Sequence, residues 1–172
     1  MTLWLAFLRA VNVGKRKMKM AELKALCEEL GYGKVKTLLA SGNVRFECKH
    51  DPKAELEAAI EAHWGFRSEA VMRTGDEIEA MIASAPFKGY PDAGPFHRYV
   101  LMCEQPMRTD VVREGIDGDF DVVRVDEKDL YLVGYRQADG RHGPGLDKFD
   151  PQLDKGSVAT MRNWNTILKA LK

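Results

Sequence analysis

The first part of the chain alternates between apolar runs typical of strands and periodic patterns typical of helices. Residues 2–9 are apolar almost throughout, which predicts a buried strand. Apolar residues then recur at steps of three and four over 20–30, which predicts an amphipathic helix that ends at Gly31. Two further strands are predicted over 34–40 and 43–48, and the second alternates between apolar and charged positions.

These elements continue into a recognisable order. Gly42-Asn43 is typical of a tight turn and predicts a hairpin between the second and third strands. Asp51-Pro52 predicts the start of a second helix, Gly65 its end, and residues 68–73 a fourth strand. The order β-α-β-β-α-β predicts a ferredoxin-like subdomain, in which a four-stranded antiparallel sheet carries two helices on one face.

The second half repeats a similar order of elements without repeating the sequence. Thr74 and Glu77 form a capping box that starts a helix, and Pro86 ends it. We therefore expect a ferredoxin-like subdomain with its connecting helix over 1–86, and a second, smaller or degenerate α+β subdomain over 87–172. The elements predicted there are a strand (97–103), a short helix (107–115), a hairpin (120–125 and 129–135), a long loop (137–157) and a final helix capped by Thr160.

Composition and charge restrict the class of protein. The chain is 45% hydrophobic and 30% charged, as expected for a globular protein. Its 26 basic and 26 acidic residues cancel, so any binding of nucleic acid must use a local patch. No apolar run has the length of a membrane span, and the N-terminus lacks the pattern of a signal peptide. We therefore expect a cytoplasmic protein that does not bind a membrane.

The cysteines do not predict a disulfide framework. They are odd in number and widely spaced, at Cys27, Cys48 and Cys103. Each lies in an apolar pattern, so we expect buried, reduced thiols.

The most informative polar segment follows the first strand. Arg9 and Asn12 precede Lys15 and three further basic residues, and the segment leads into the first predicted helix. Free N–H groups and the helix dipole favour an anion at such a position. The segment is not a Walker A loop, because the first glycine is absent and Arg16 stands where Ser or Thr would hold magnesium. The alternative is an ordinary solvated basic loop.

Two other polar segments have a similar character. Ser41 and Asn43 flank a glycine at the predicted hairpin tip, where plain turn chemistry is the alternative to binding. Arg162 and Asn163 begin the region of the final helix, where they are free to bind a ligand, cap the helix or bond another loop. Trp164 beside them is expected to be buried.

Several common chemistries have no support in the sequence. The four histidines show no metal-ligand spacing, and the aspartates of the long loop do not match a calcium loop. No nucleophile elbow, dinucleotide fingerprint or RNA-recognition signature is present. We therefore expect no cofactor and no metal.

The polar segments resemble motifs of a known family. Residues 9–14 (Arg-Ala-Val-Asn-Val-Gly) are similar to the Arg-Gly-Ile-Asn-Val-Gly opening of the domain-of-unknown-function family 1697, a family of bacterial proteins of similar length. Residues 39–44 resemble its Gln-Ser-Gly-Asn-Val hairpin, residues 159–166 its Thr-x-Arg-Asn-Trp-Asn-Thr close, and Pro86-Phe87 also fits. The resemblance implies two α+β subdomains and no established activity.

Some positions of the chain depart from the family pattern. Ala10 and Ala40 stand where Gly and Gln are usual. Residues 140–146 stand where Gly-Arg-Ser-Lys-Leu is expected.

Three functional hypotheses follow. The first is a soluble binding protein or enzyme for a phosphorylated small molecule or nucleic acid, with an anion-binding site built from three loops. Its ligand-binding residues would be Arg9, Asn12, Lys15, Ser41, Asn43, Arg162 and Asn163. The alternative is a non-catalytic structural or interaction module, in which the same residues hold loops together at the subdomain junction. The third, a catalyst that uses Asp147, Asp150 or His142 of the long loop, has no supporting residue spacing.

Overall fold

Two four-stranded antiparallel sheets and five helices make up the α+β fold of the described residues. The computed structural model describes residues 1–38 and 42–172. The strands are β1 (Thr2–Leu8), β2 (Gly33–Thr37), β3 (Asn43–Cys48), β4 (Ala70–Thr74), β5 (Phe96–Cys103), β6 (Phe120–Val125), β7 (Asp129–Tyr135) and β8 (Ala159–Asn163). The helices are α1 (Met20–Glu29), α2 (Lys53–Trp64), α3 (Gly75–Ala83), α4 (Pro144–Asp147) and α5 (Trp164–Lys169).

The chain divides into two compact units. Unit 1 contains Met1–Ala80 and the last residues, Leu168–Lys172. Unit 2 contains Met81–Ile167. Each unit holds one sheet, and the two sheets have corresponding strand orders, β2-β3-β1-β4 and β6-β7-β5-β8.

The sheet of unit 1 forms because its strands present alternating side chains to the helices. Ala6 and Leu8 of β1 belong to the same buried cluster as Val44 and Phe46 of β3. Leu23 of α1 and other apolar residues of α1 and α2 complete this cluster, so both helices cover one face of the sheet. Val44, Phe46 and Cys48 are buried, as their alternation with charged residues predicts.

The opposite face of this sheet meets the C-terminal residues of the chain. The Arg45 guanidinium donates to the carbonyl of Ala170 at 3.2 Å, and Lys36 Nζ donates to the carbonyl of Lys172 at 2.9 Å. Both carbonyls follow the end of α5, where the helix supplies no further N–H donor, and the two basic side chains donate to them instead.

Several local signals in the sequence act as predicted. Gly31 and Gly65 adopt left-handed conformations after α1 and α2, with φ of 83° and 72°. Thr74 and Glu77 form the reciprocal capping box: Glu77 Oε2 accepts from the Thr74 N–H at 2.7 Å, and Thr74 Oγ1 accepts from the Glu77 N–H at 3.2 Å. These bonds satisfy N–H groups that a helix start would otherwise leave without partners.

The sheet of unit 2 has a core on both faces. Leu101, Leu130 and Leu132 belong to a buried cluster on one face. On the other face, the rings of Phe87, Tyr131 and Trp164 lie 5.2–6.0 Å apart in edge and tilted contacts. The expected burial of Trp164 is confirmed, since its exposed fraction is 4%.

Two predicted elements of the second half are wrong. Residues 107–115 are not helical; Arg113 there donates to the carbonyls of Arg108 and Val111, so its side chain stabilises an irregular path. Thr160 does not cap the last helix, because it lies within β8 and pairs in register with Met102. The long loop contains the four-residue helix α4.

Candidate functional site

The end of β1 is fixed by the segment that leads into β4. The backbone N–H of Arg9 donates to the carbonyl of Glu69 at 3.0 Å. Ser68, which is buried, donates its hydroxyl to the carbonyl of Arg9 at 2.7 Å. Both backbone polar groups of Arg9 are therefore satisfied, and its position relative to Glu69 is fixed.

Three arginines share a cleft at this end of the sheet. The cleft has a volume of about 310 Å³ and is lined by Arg9, Ala10, Arg16, Arg67 and Glu69. Arg9 Nη1 lies 3.0 Å from Glu69 Oε2, and Arg67 Nη2 lies 3.9 Å from Glu69 Oε1. Glu69 thus pairs with two of the three arginines, and the lining of the cleft holds three positive charges against one negative charge.

Arg16 is held by the residues that precede β4. Its guanidinium carbon lies 5.0 Å from the centre of the Phe66 ring, a cation–π contact. Its Nη1 also donates to the carbonyl of Arg67 at 3.4 Å. Stacking restricts the side chain while leaving other N–H groups of the planar guanidinium to bind an anion.

The loop between β1 and α1 is closed by Asn12. Asn12 Oδ1 accepts from the backbone N–H of Met18 at 3.0 Å, and the Met18 side chain is buried. Asn12 therefore shapes the loop that carries Lys15 and Arg16, both of which are exposed. Its observed contact fits the structural hypothesis better than direct ligand binding.

The turn at Ala10 explains one departure from the family pattern. Ala10 has a φ of 50°, in the left-handed region that favours glycine. The usual Gly at this position would adopt the same conformation at lower cost. The turn directs the chain from β1 into the basic loop.

Gly42 of the predicted hairpin packs directly against the same loop. The Leu8 N–H donates to the carbonyl of Gly42 at 2.9 Å. A side-chain carbon at Gly42, whose φ is 72°, would lie 2.7 Å from Val11 Cγ2, so only glycine fits. Asn43 is buried and donates its amide to the carbonyl of Leu38 at 3.1 Å. Ser41 lies outside the described residues.

The third polar segment lies in unit 2, where its side chains are engaged locally. Arg162 Nη1 donates to Thr160 Oγ1 at 2.5 Å and to the carbonyl of Met161 at 2.9 Å. Burial lowers the pKa of the Arg162 guanidinium to about 10, so it stays charged at neutral pH. Asn163 Oδ1 accepts from the Asn165 N–H at 2.9 Å and caps α5.

The predicted site residues thus fall into two groups. The structure brings the first two segments together in unit 1, around Arg9, Asn12, Gly42 and Asn43. Arg162 and Asn163 belong to unit 2. The convergence of all three loops stays a prediction.

Sequence reasoning missed Arg67 and Glu69, although a signal was present. Antiparallel pairing of β1 with β4 places Leu8 opposite Ala70, so residues that precede β4 must lie beside residues that follow β1. The predicted ferredoxin-like order pairs β1 with β4, and this pairing predicts that Arg67 and Glu69 lie next to Arg9.

The long loop contains a histidine–carboxylate pair that residue spacing did not indicate. His142 Nε2 lies 2.8 Å from Asp147 Oδ1, and Tyr99 Oη lies 3.4 Å from His142 Nδ1. Asp150 accepts from the backbone of Gln152 and forms a local turn. Within residues 1–38 and 42–172, no group of three or more His, Cys, Asp or Glu side chains is arranged to hold a metal ion.

None of the helices that the structure describes is long and apolar enough to cross a membrane.

A search of curated proteins found no match. The conserved bacterial protein SP0830 from Streptococcus pneumoniae has a similar fold, with a TM-score of 0.68 at 20% identity over 99% of both chains. A family model described as "Protein of unknown function (DUF1697)" matches residues 1–131. The chain therefore belongs to the DUF1697 family.

Proposed function

We propose that this protein binds a phosphate-bearing ligand at the cleft of Arg9, Arg16 and Arg67, either as a binding protein or as an enzyme. The observation that supports the proposal is a single cleft that is lined by three arginines and only one carboxylate. Guanidinium groups match phosphate oxygens through two parallel hydrogen bonds, which makes arginine clusters suited to phosphate. Lys15 lies in the same loop as Arg16 and adds exposed positive charge.

The size of the cleft favours a phosphorylated small molecule over a nucleic acid. Its volume of about 310 Å³ is near the lower end of the range for small-molecule sites. A nucleic acid is bound through a row of phosphate contacts with basic residues. The basic and acidic residues of this chain cancel, so its overall charge does not favour such binding. Binding of a short RNA is therefore an outcome of the test rather than the main expectation.

The strand order of unit 1 supports a more specific fold than the α+β class. We infer that the β-α-β-β-α-β part of unit 1 is a ferredoxin-like subdomain. Its support is the strand order β2-β3-β1-β4 with antiparallel pairing and with α1 and α2 on one face. Cys27, Cys48 and Cys103 are buried, and none of them forms a disulfide within the described residues, which supports a reducing compartment such as the cytoplasm.

A second candidate function has specific support. Asn12, Asn43 and Asn163 all bond to backbone groups, as expected of a structural or interaction module. In that case Glu69 neutralises the arginines as part of the fold, and anions have no effect on stability.

Calorimetry and thermal unfolding with a panel of anions test the proposal. The panel contains inorganic phosphate, pyrophosphate, nucleoside monophosphates, phosphorylated sugars and a short RNA. A ligand at about 100 times its Kd stabilises the folded state by about 2.7 kcal/mol. We expect R16A/R67A to weaken binding by at least about tenfold, since each lost charged hydrogen bond contributes about 1.5–3 kcal/mol.

The matched control removes two exposed arginines of unit 2. Arg136 and Arg141 are exposed and lie outside the cleft. R136A/R141A should bind the anion as the parent does. No response to any anion, or equal weakening in the control variant, would contradict the proposal.

Glu69→Gln separates the two candidate functions. In the binding hypothesis the Glu69 carboxylate competes with the ligand for Arg9 and Arg67, so its neutralisation should tighten phosphate binding about three- to tenfold. In the structural hypothesis the same change only weakens an ion pair, and phosphate still has no effect. The measurement is the phosphate Kd of E69Q and the parent at equal ionic strength.

A further inference from the structure

One acidic side chain, Glu69, lies among the three arginines of the cleft. The residues that line this arginine cleft are Arg9, Ala10, Arg16, Arg67 and Glu69. A carboxylate in a phosphate site repels the charge of the ligand, so it weakens binding unless it makes a favourable contact with another part of the ligand. Because it concerns the same cleft, the inference about Glu69 rests on the proposed function.

The backbone on both sides of the Glu69 side chain is held in place. The carbonyl of Glu69 accepts from the N–H of Arg9 at 3.0 Å. On the other side, the N–H of Ala70 donates to Glu57 Oε1 at 2.8 Å, and the carbonyl of Ala70 accepts from Lys53 Nζ at 2.5 Å. Lys53 and Glu57 form an ion pair with each other at 2.6 Å. Glu69 therefore extends into the cleft from an ordered backbone, which reduces the entropy that its side chain loses on binding.

The two carboxylate oxygens of Glu69 have different surroundings. Oε2 accepts a hydrogen bond from Arg9 Nη1 at 3.0 Å. Oε1 lies 3.9 Å from Arg67 Nη2, which is beyond hydrogen-bond distance. Oε1 therefore keeps lone pairs for a ligand, and a carboxylate oxygen can only accept a hydrogen bond.

The chemistry of this oxygen selects the group that can lie next to it. The phosphate group of an ionised ester has only acceptor oxygens, so it binds the arginines and is repelled by Oε1. An ammonium group can donate to Glu69, but the three positive charges of the cleft lining repel it. A neutral hydroxyl group donates to Oε1 and adds no charge to the cleft.

The spacing of the charged groups limits the place of this hydroxyl on the ligand. Arg67 Nη2 and Glu69 Oε1 are 3.9 Å apart, so a ligand that bonds to both presents a phosphate oxygen and a hydroxyl close together. The cleft volume of about 310 Å³ also leaves space for carbon atoms beside a phosphate group. The hydroxyl therefore belongs on the carbon next to the one that carries the phosphate.

We propose that the arginine cleft binds a phosphorylated polyol or sugar, and that Glu69 is its specificity-determining residue. Arg9, Arg16 and Arg67 bind the phosphate oxygens, and Glu69 Oε1 accepts a hydrogen bond from the neighbouring hydroxyl. A phosphate ester without that hydroxyl leaves the carboxylate beside the phosphate with no hydrogen bond to offset the repulsion, so Glu69 discriminates against it.

Two ligands of the same charge and chain length test the proposal by calorimetry. Glycerol 3-phosphate and propyl phosphate have the same carbon chain and one phosphate group, and only the former has hydroxyl groups. A hydrogen bond to a charged group changes affinity by about tenfold or more, and partial exposure to water reduces this effect. The Glu69 side chain is 35% exposed, so we expect glycerol 3-phosphate to bind the parent at least about fivefold more tightly.

Glu69→Ala should abolish this preference. The substitution removes both acceptor oxygens together with the charge, so the ratio of the two Kd values should fall to about one. Propyl phosphate itself should bind E69A more tightly than the parent, because the repulsion is gone. Glu29→Ala is the matched control, since Glu29 is an exposed acidic residue of the same unit outside the cleft lining, and it should keep the ratio of the parent. The melting temperature of each variant shows that the fold is retained.

The outcomes separate a failure of this proposal from a failure of the proposed function. If no phosphate compound binds the parent, the cleft is not a phosphate site and both are wrong. If the two esters bind the parent equally, or if E69A keeps the ratio of the parent, the phosphate site stands and Glu69 does not recognise a hydroxyl. Tighter binding of phosphoethanolamine than of glycerol 3-phosphate would also overturn the proposal, because Glu69 would then recognise an ammonium group.

Discussion

The two sheets have corresponding strand orders, but their connections are built differently. In unit 1, α1 and α2 make the connections, with 10 and 12 residues. In unit 2, irregular segments take their place, and the only helix between β7 and β8 among the described residues has four residues. The same strand order therefore forms without helical connections. In that case, side chains must satisfy the backbone N–H and C=O groups of the irregular segments that connect the strands.

Arginines illustrate this difference. In unit 2, the Arg113 guanidinium donates to the carbonyls of Arg108, Val111 and Pro151, so it binds two irregular segments together. In unit 1, Arg9 and Arg67 face a cleft instead. Helical connections satisfy their own backbone groups, so the Arg9 and Arg67 side chains are not used for that purpose and line the cleft.

The largest effect is expected from Gly42→Ala, which tests close packing in unit 1. The substitution combines a left-handed conformation with a contact of 2.7 Å to Val11, and we expect a loss of about 3 kcal/mol in the free energy of unfolding. Gly14→Ala is the control, because Gly14 has a similar φ but no neighbour within 4 Å, and should cost about 1 kcal/mol. Urea unfolding measures both, and equal losses would show that the hairpin tip does not pack tightly on the loop.

Arg113→Ala tests the irregular connections of unit 2. The loss of three hydrogen bonds from a charged donor to backbone carbonyls should lower the free energy of unfolding by about 2 kcal/mol. Arg113→Lys should recover little of it, since a lysine ammonium does not reproduce the planar fork of donors. Arg141→Ala, at an exposed position, serves as the control in the same urea titration. If R113A and R141A are equally stable, Arg113 does not hold the connection.

Tyrosine–carboxylate bonds occur in both units and predict a dependence on pH. The hydrogen bond to Asp121, at 2.5 Å, raises the pKa of Tyr135 to about 12. The unfolded chain ionises this tyrosine at a lower pH, so the stability from the bond is present below pH 10 and is lost as the pH rises to about 12. The stability difference between the parent and Tyr135→Phe should therefore shrink over this range. A difference that stays constant with pH would contradict the assignment.

The smallest effect concerns two alanines with left-handed backbones, one in each unit. Ala10 has a φ of 50° and Ala85 a φ of 47°. Glycine relieves the backbone cost at either position but loses more entropy on folding, so Ala10→Gly and Ala85→Gly should each stabilise by about 0.5 kcal/mol. Thermal unfolding of both variants compares the loops of the two units. Destabilisation by either change would show that the alanine methyl group contributes to packing there.

Prediction from sequence worked where the signal was local. The bounds of β3, β6 and β7 agree with the strands predicted there, and the capping box at Thr74 forms as its sequence indicates. The helix predicted over 107–115 is wrong because Arg113 satisfies backbone carbonyls outside any helix. Thr160 has the residue type of a helix cap, but pairing of β8 with β5 incorporates it into a strand.

The candidate site was predicted only in part. The place of Arg9 and Lys15 after a buried strand predicts a binding role for both, and Arg9 lines the cleft. Asn12 and Asn43 are also predicted to bind the ligand, yet each bonds to a backbone group nearby. An amide side chain in a loop has the same sequence signal in both roles, so only its contacts distinguish them.

The sequence by itself determined the α+β class, most of the elements and the basic character of the loop after β1. These properties depend on residues close together in the chain, through periodicity, capping and turn chemistry. Only the tertiary structure decided that Arg67 and Glu69 join Arg9, and that Lys53 and Glu57 hold the backbone next to Glu69. Strand pairing and packing bring these groups together from distant parts of the chain, and charge and hydrogen bonding then depend on distance in space rather than in sequence.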